Sequence, residues 1–295
     1  MPLTRALFAA ILLALVACAS GGGTASRSSA PLQGPIPVVT TISTLNSFVQ
    51  GVGGKRVSVQ SIVPVGSSPE TYQPTPQSIE MLANARLLVE NGAGLETWMQ
   101  GLLQNARTDA VVVDCSQGLP VKGSNPHLWM DPVYAKHYVA RIRAALVRLD
   151  PSRRGEYDRN AAAYDRRLDA LAAWIRVQIA PVPPSRRLLV VFHNAWQYYD
   201  DRFGIRTLGI IEEAPGQEPN PRDFGHTVDL AKRYHVGAIF GEPEYSPKLA
   251  MTLARDAGVP VVANLYDDSI GTNPQVGDYI SMLRYDTREI VKSMR

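Results

Sequence analysis

Residues 150–180 read DPSRRGEYDRNAAAYDRRLDALAAWIRVQIA. Tyr157, Ala161, Tyr164, Leu168, Leu171, Ala172 and Ile175 recur three or four apart, and Arg and Asp fill the opposite face. That stripe predicts one long amphipathic helix. Asp150-Pro151 reads as its start, with Asp as N-cap and Pro in the first turn. Val182-Pro183-Pro184 stops it. At 1.5 Å per residue the segment spans roughly 45 Å, long enough to bridge two lobes.

The pattern on either side of this helix is the same. Upstream, short β-branched runs at Ile36–Thr41, Val57–Ile62, Leu87–Val89 and Ala110–Val113 read as strands. Helical spacing appears between them at Ser43–Gly51, Thr75–Ala83 and Leu95–Asn105, and again over residues 133–149. Downstream, strands at Leu188–Phe192, Arg206–Ile210, Ala238–Phe240 and Val261–Ala263 alternate with helices near Ala195–Phe203, Arg222–Tyr234, Pro247–Ala257 and Gly277–Met294. Alternating β and α predicts parallel sheets flanked by helices. The expected fold class is α/β: two lobes, residues 36–149 and 183–295, joined by a rigid helix over 150–182.

The first residues, MPLTRALFAAILLALVACAS, carry Arg5 and an apolar run from Ala6 to Ala17. The run is too short to span a bilayer and suits a signal-peptide core, so residues 1–17 read as a signal peptide. Leu15-Val16-Ala17-Cys18 resembles the bacterial lipobox, which places a lipid on Cys18. Residues 18–35 then read as a lipidated flexible tether, because Gly, Ser, Ala, Thr and Pro cannot build a core. The expectation is attachment to the extracytoplasmic face of the cell membrane. The formal charge of +3 comes without a basic cluster, which speaks against nucleic acid. Once Cys18 is acylated, only Cys115 remains, read as a buried thiol at a strand end.

Four segments each offer one metal ligand beside turn-forming residues. Glu70 lies in SSPETYQP, His127 in NPHLWMDP at 125–132, His193 in VVFHNAW at 190–196, and Asp268 in LYDDSIG at 265–271. Two imidazoles and two carboxylates suit Mn²⁺, Fe²⁺ or Zn²⁺. Glu70 follows a strand of a parallel sheet, where such folds bind ligands. Its alternative is a solvated loop carboxylate, with three protein ligands and a water on the metal. Asp267 is the rival of Asp268, and either could cap a helix. His137, His226 and His235 read as solvated or capping residues. Glu242 could border the cleft, and Trp129 and Tyr72 read as its walls.

These segments resemble the solute-binding proteins of zinc and manganese ABC transporters. The resemblance rests on Val63-Pro64-Val65-Gly66, Pro69-Glu70-Thr71-Tyr72-Gln73-Pro74-Thr75-Pro76, Asn91-Gly92-Ala93-Gly94-Leu95-Glu96, Asn125 to Pro132, and Asp268-Ser269-Ile270-Gly271. It covers nearly all of residues 36–295 and implies two α/β lobes joined by a long rigid helix, with metal held in the cleft between them. By that resemblance Glu70, His127, His193 and Asp268 are the ligands, and Glu70 stands where the family usually has His. The set has the composition of manganese-type members with one carboxylate moved. No His-rich loop separates the first two ligands, which favours Mn²⁺ or Fe²⁺ over Zn²⁺. The implied role is a monomeric lipoprotein that passes its ion to an ABC transporter permease and performs no catalysis.

Two other classes compete. A metal-dependent hydrolase needs an open metal position and a general base, and neither HExxH nor Gly-x-Ser-x-Gly occurs. A surface adhesion protein on the same fold is the third class.

Overall fold

A computed structural model of the chain describes residues 34–295 apart from Ala214. The signal-peptide reading and the lipid on Cys18 lie outside the described residues. The first lobe contains β1 (Ile36–Thr40), α1 (Ser43–Gly53), β2 (Val57–Ser61), α2 (Pro76–Ala83), β3 (Leu87–Glu90), α3 (Met99–Ala106), β4 (Val111–Asp114) and α4 (Pro132–Leu149). Its four strands are all parallel in the order β2-β1-β3-β4, with Ile36 opposite Val57 and Leu87 opposite both Val38 and Val111. The two central strands are apolar on both faces because both faces are covered. Val38, Leu87 and Val89 join the core under α1 and α4, whereas Val39 and Leu88 pack with Leu82, Met99 and Leu102 of α2 and α3.

α5 (Arg154–Ile179) connects the lobes. Its 26 residues span about 39 Å, and the expected stripe from Tyr157 to Ile175 is buried. The start differs from the sequence reading. Asp150 does not cap α5; Pro151–Arg153 forms a single 3₁₀ turn first. The Asp150 carboxylate accepts the hydroxyls of Ser152 and Tyr157 instead of the helix N–H groups. The helix expected from Leu95 begins at Met99. Glu96 turns back to accept the N–H groups of Asn91 and Gly92 and the Thr41 hydroxyl, which holds residues 92–98 out of the helix.

The second lobe repeats the alternation with β5 (Leu188–Val191), α6 (Gln197–Phe203), β6 (Arg206–Ile210), α7 (Pro221–Arg233), β7 (Ile239–Phe240), α8 (Lys248–Ala257), β8 (Val261–Val262) and α9 (Tyr279–Ser293). β5 pairs with β6 and β7 with β8, both parallel. Leu188, Val190 and Ile239 face α7 and α8. Leu189, Val191 and Phe240 face the other way, into a core shared with α1, α4, α5 and α9. The lobes thus have no separate interiors on this side. Phe48 of α1 packs on Tyr279 of α9 with ring centroids 4.7 Å apart, and Arg202 forks onto Asp131 through two charge-assisted hydrogen bonds.

Candidate metal centre

Each proposed ligand follows the carboxyl end of a parallel strand: Glu70 after β2, His127 after β4, His193 after β5 and Asp268 after β8. Ligands of open α/β sheets gather at such ends. One ligand atom from each of the four residues lies within 4.8 Å of the others. Two come from each lobe. His127, His193 and Asp268 are buried, and Glu70 is half-buried at the rim.

The imidazoles have fixed tautomers. Asn125 Oδ1 accepts both the His127 backbone N–H at 3.0 Å and its ring Nδ1–H at 2.9 Å. That amide orientation is set by Asn125 Nδ2, which donates to the Asn194 carbonyl at 2.7 Å. His193 Nδ1 lies 2.5 Å from Glu242 Oε2, and an ionised carboxylate can only accept. Both Nε2 atoms therefore point into the cleft, 3.1 Å apart. Two lone pairs at that distance repel unless positive charge lies between them. The edge of a tetrahedron with bonds of ~2.0 Å is about 3.3 Å, close to what is seen.

The carboxylates are equally unsatisfied. Asp268 Oδ1 is 3.5 Å from His127 Nε2 and Oδ2 is 3.9 Å from His193 Nε2, yet neither oxygen has a hydrogen-bond partner. Glu70 Oε2 is also buried and unpartnered. Buried polar atoms rarely go unpaired without a reason. Asp267 differs from Asp268 in having both oxygens engaged: its Oδ1 accepts the Asp268 N–H at 2.7 Å and its Oδ2 the Trp196 indole N–H at 3.2 Å, although it also stands with His193 and Glu242 in a second cluster of potential ligand atoms.

Charge is crowded here. Burial pushes the Asp267 carboxyl well above its usual range, and Glu242 adds to the push. Burial and Asp268 raise Glu244 to about 8. Burial also raises Glu70, against the pull of His127. For His193, burial favours the neutral ring, but Glu242 and Asp267 override it and hold the imidazole well above its ordinary value. A divalent cation between the two Nε2 atoms would favour the neutral, metal-binding form of both rings.

Aromatic rings wall the site. Trp129 lies 5.0 Å from His127 and donates its indole N–H to the Asp267 carbonyl at 2.8 Å. Tyr245 lies 5.7 Å from His193 and stacks on Phe192. Trp98 donates to the Pro69 carbonyl at 2.8 Å, beside Glu70. Tyr72 is not a wall; it packs on Trp98 and hydrogen-bonds Ser78 at the start of α2. His226 and His235 are exposed, and His137 reaches the Gln117 carbonyl. Sequence reading missed Asn125, although an Asn two residues before a His signals such a turn, and it gave Glu242 at most a place behind the ligands without naming the one it supports. A cavity of about 470 Å³ lined by Glu70, His127 and His193 opens between Lys122, Asn125 and Glu213.

A family model described as the zinc-uptake complex component A, periplasmic, matches residues 38–293. The chain belongs to this family. The manganese-binding lipoprotein MntA of Halalkalibacterium halodurans is 30% identical, over 98% of this chain and 99% of that protein. The iron-binding protein YfeA of Yersinia pestis is 29% identical, over 99% of this chain and 96% of that protein. Among solved structures, the periplasmic zinc binding protein TroA from Treponema pallidum superposes with a TM-score of 0.83 at 26% identity, covering 89% of this chain and 99% of that one. The two-lobed α/β architecture with its long connecting helix is the family's fold, and the relatives bear the names of proteins that bind manganese, iron and zinc.

Proposed function

We propose that this family member captures a divalent transition metal outside the cytoplasm and delivers it to the permease of an ABC importer. The observation that carries this reading is the convergence, from both lobes, of two imidazole Nε2 atoms and three buried carboxylate oxygens, the oxygens having no hydrogen-bond partner. Glu70, His127, His193 and Asp268 are the ligands. Each carboxylate can bind through one or two oxygens, so coordination can range from four to six. That range accepts Zn²⁺ and also Mn²⁺ or Fe²⁺, with the harder oxygen donors favouring the latter two. Four protein ligands close the shell and leave no position for an activated water, which sets this site apart from that of a hydrolase. The protein works as a monomer held at the membrane through a lipid on Cys18.

Elemental analysis of protein purified without added metal, followed by competition among Mn²⁺, Fe²⁺ and Zn²⁺, tests the reading. One ion per chain is expected, lost on Asp268→Ala. Wild-type protein that binds none of the three would overturn it, as would unimpaired metal uptake in a deletion strain.

A further inference from the structure

The two imidazoles of the site are backed by different groups. His127 rests on the neutral amide of Asn125. His193 rests on the Glu242 carboxylate, which is 3% exposed. Among the described residues Glu242 has no Lys or Arg partner; its ion-pair contact is with His193. Its other oxygen lies 3.4 Å from the His193 backbone nitrogen. The neighbouring Gly241 is tied on both sides, its N–H to the Val262 carbonyl and its carbonyl to the Leu265 N–H. Glu242 is thus held rigidly behind the ring. A carboxylate this deeply buried is costly, and the imidazole of His193 is the one charged partner among the described residues that offsets it.

We infer that Glu242 is a positioning residue for the ion, one that fixes the ring of His193 and strengthens its grip on the metal. This rests on the proposed metal-capture role. A cation on Nε2 withdraws electron density from the ring and makes Nδ1–H a stronger donor, so the bond to Glu242 tightens when the ion is present. A carboxylate gains more from this than an amide does. The C-terminal lobe therefore holds its histidine more firmly than the N-terminal lobe holds His127. Loss of such an outer partner lowers metal affinity by roughly 10–100-fold.

The test uses the full chain as wild type, Glu242→Gln and Asp268→Asn, with competition titrations against a chromophoric chelator for Co²⁺ and Zn²⁺. Visible spectra of the Co²⁺ forms and metal-free melting curves are recorded beside them. Glu242→Gln should lose roughly 10–100-fold in affinity, with the cobalt ligand set unchanged and the metal-free protein still folded at the temperature of the titration. An affinity within about twofold of wild type overturns the inference, since an outer partner is expected to matter tenfold or more. So does a cobalt spectrum with one ligand fewer, which would make Glu242 itself a ligand. So does a variant that is already unfolded without metal at the titration temperature while Glu242→Asp, which folds, binds as wild type does; that would make it a structural residue. If Glu242→Gln does not fold, Glu242→Asp keeps the charge and shortens the reach, and it should show the same loss; wild-type binding by that variant overturns the idea. Wild-type protein that binds no ion would instead defeat the metal-capture reading.

Discussion

Replacing Asp268 with asparagine should move the unfolding midpoint in opposite directions with and without metal. In the ion-free protein Asp268 is 1% exposed and neither oxygen is hydrogen-bonded. Its field pushes Asp267, Glu244 and Glu70 towards the protonated form, and this repulsion from three carboxyl groups outweighs its attraction to the imidazole of His193. An amide of the same shape removes one negative charge from this group, which should stabilise the ion-free protein by about 1 kcal/mol. For a chain of this size that is about 2–4 °C. Ion at a thousand times its dissociation constant stabilises the wild type by about 4 kcal/mol, or roughly 8–16 °C. Removing one partner of a buried charge pair costs about 3–5 kcal/mol, or roughly two to four powers of ten in affinity. At the same ion concentration the variant should retain on the order of 1 kcal/mol or less of metal stabilisation. Scanning calorimetry in chelator and then in Mn²⁺ or Zn²⁺ reads both shifts. A metal-induced shift equal to that of wild type would refute the assignment of Asp268 as a ligand. A lowered midpoint in chelator would refute the claim that its carboxylate is unsatisfied.

Glu70→Ala should weaken binding strongly, because the ion loses a ligand and a compensating charge, whereas Glu70→His should keep a site and move preference towards zinc; competition titrations on both variants check this, and wild-type affinity in Glu70→Ala would leave three protein ligands. Asp200 lies away from the site, and burial pushes its carboxyl up to about 7 against the hydrogen bonds from Thr207. Folded protein keeps it protonated where the unfolded chain has already ionised it, so its contribution to stability is present below about pH 4 and is lost as pH rises to about 7. Asp200→Asn should remove that slope, with melting midpoints near wild type at pH 4 and higher at pH 8; parallel curves would exclude it. Cys18→Ala should abolish incorporation of labelled fatty acid and release the protein from the membrane fraction, and unchanged labelling would end the anchor assignment.

The fold was legible wherever one period dominated. Val38, Leu87 and Val89 alternate with Val39 and Leu88 between two cores, and continuous apolar runs of that kind mark central parallel strands. The stripe from Tyr157 to Ile175 gave the connecting helix because burial on one face needs nothing else. Helix starts were less legible. Asp150 and Glu96 are both ordinary capping residues by type, but each spends its carboxylate on partners that only the folded chain supplies. The four candidate ligands stand out because each sits in a turn-rich segment after a strand. Their orientation was not legible. The tautomer of His127 depends on Asn194, 69 positions beyond Asn125, and that of His193 on Glu242, 49 positions further on. In sequence only the Asp-Ser-Ile-Gly match favours Asp268 over its neighbour Asp267; the indole N–H of Trp196, which engages Asp267, gives that preference a physical basis.

The tryptophans have an optical consequence. Of the four in the chain, Trp98 hydrogen-bonds the residue before Glu70, and Trp129 and Trp196 both hydrogen-bond the residue before Asp268. Trp174 stands apart on α5, beneath Arg284 and Arg288. Indole emission follows the local electric field. Two positive charges arriving among the carboxylates change that field at three chromophores and leave the fourth as an internal reference. The chain is thus its own fluorescent probe of occupancy, and capture and release of the ion can be timed in stopped flow without a label.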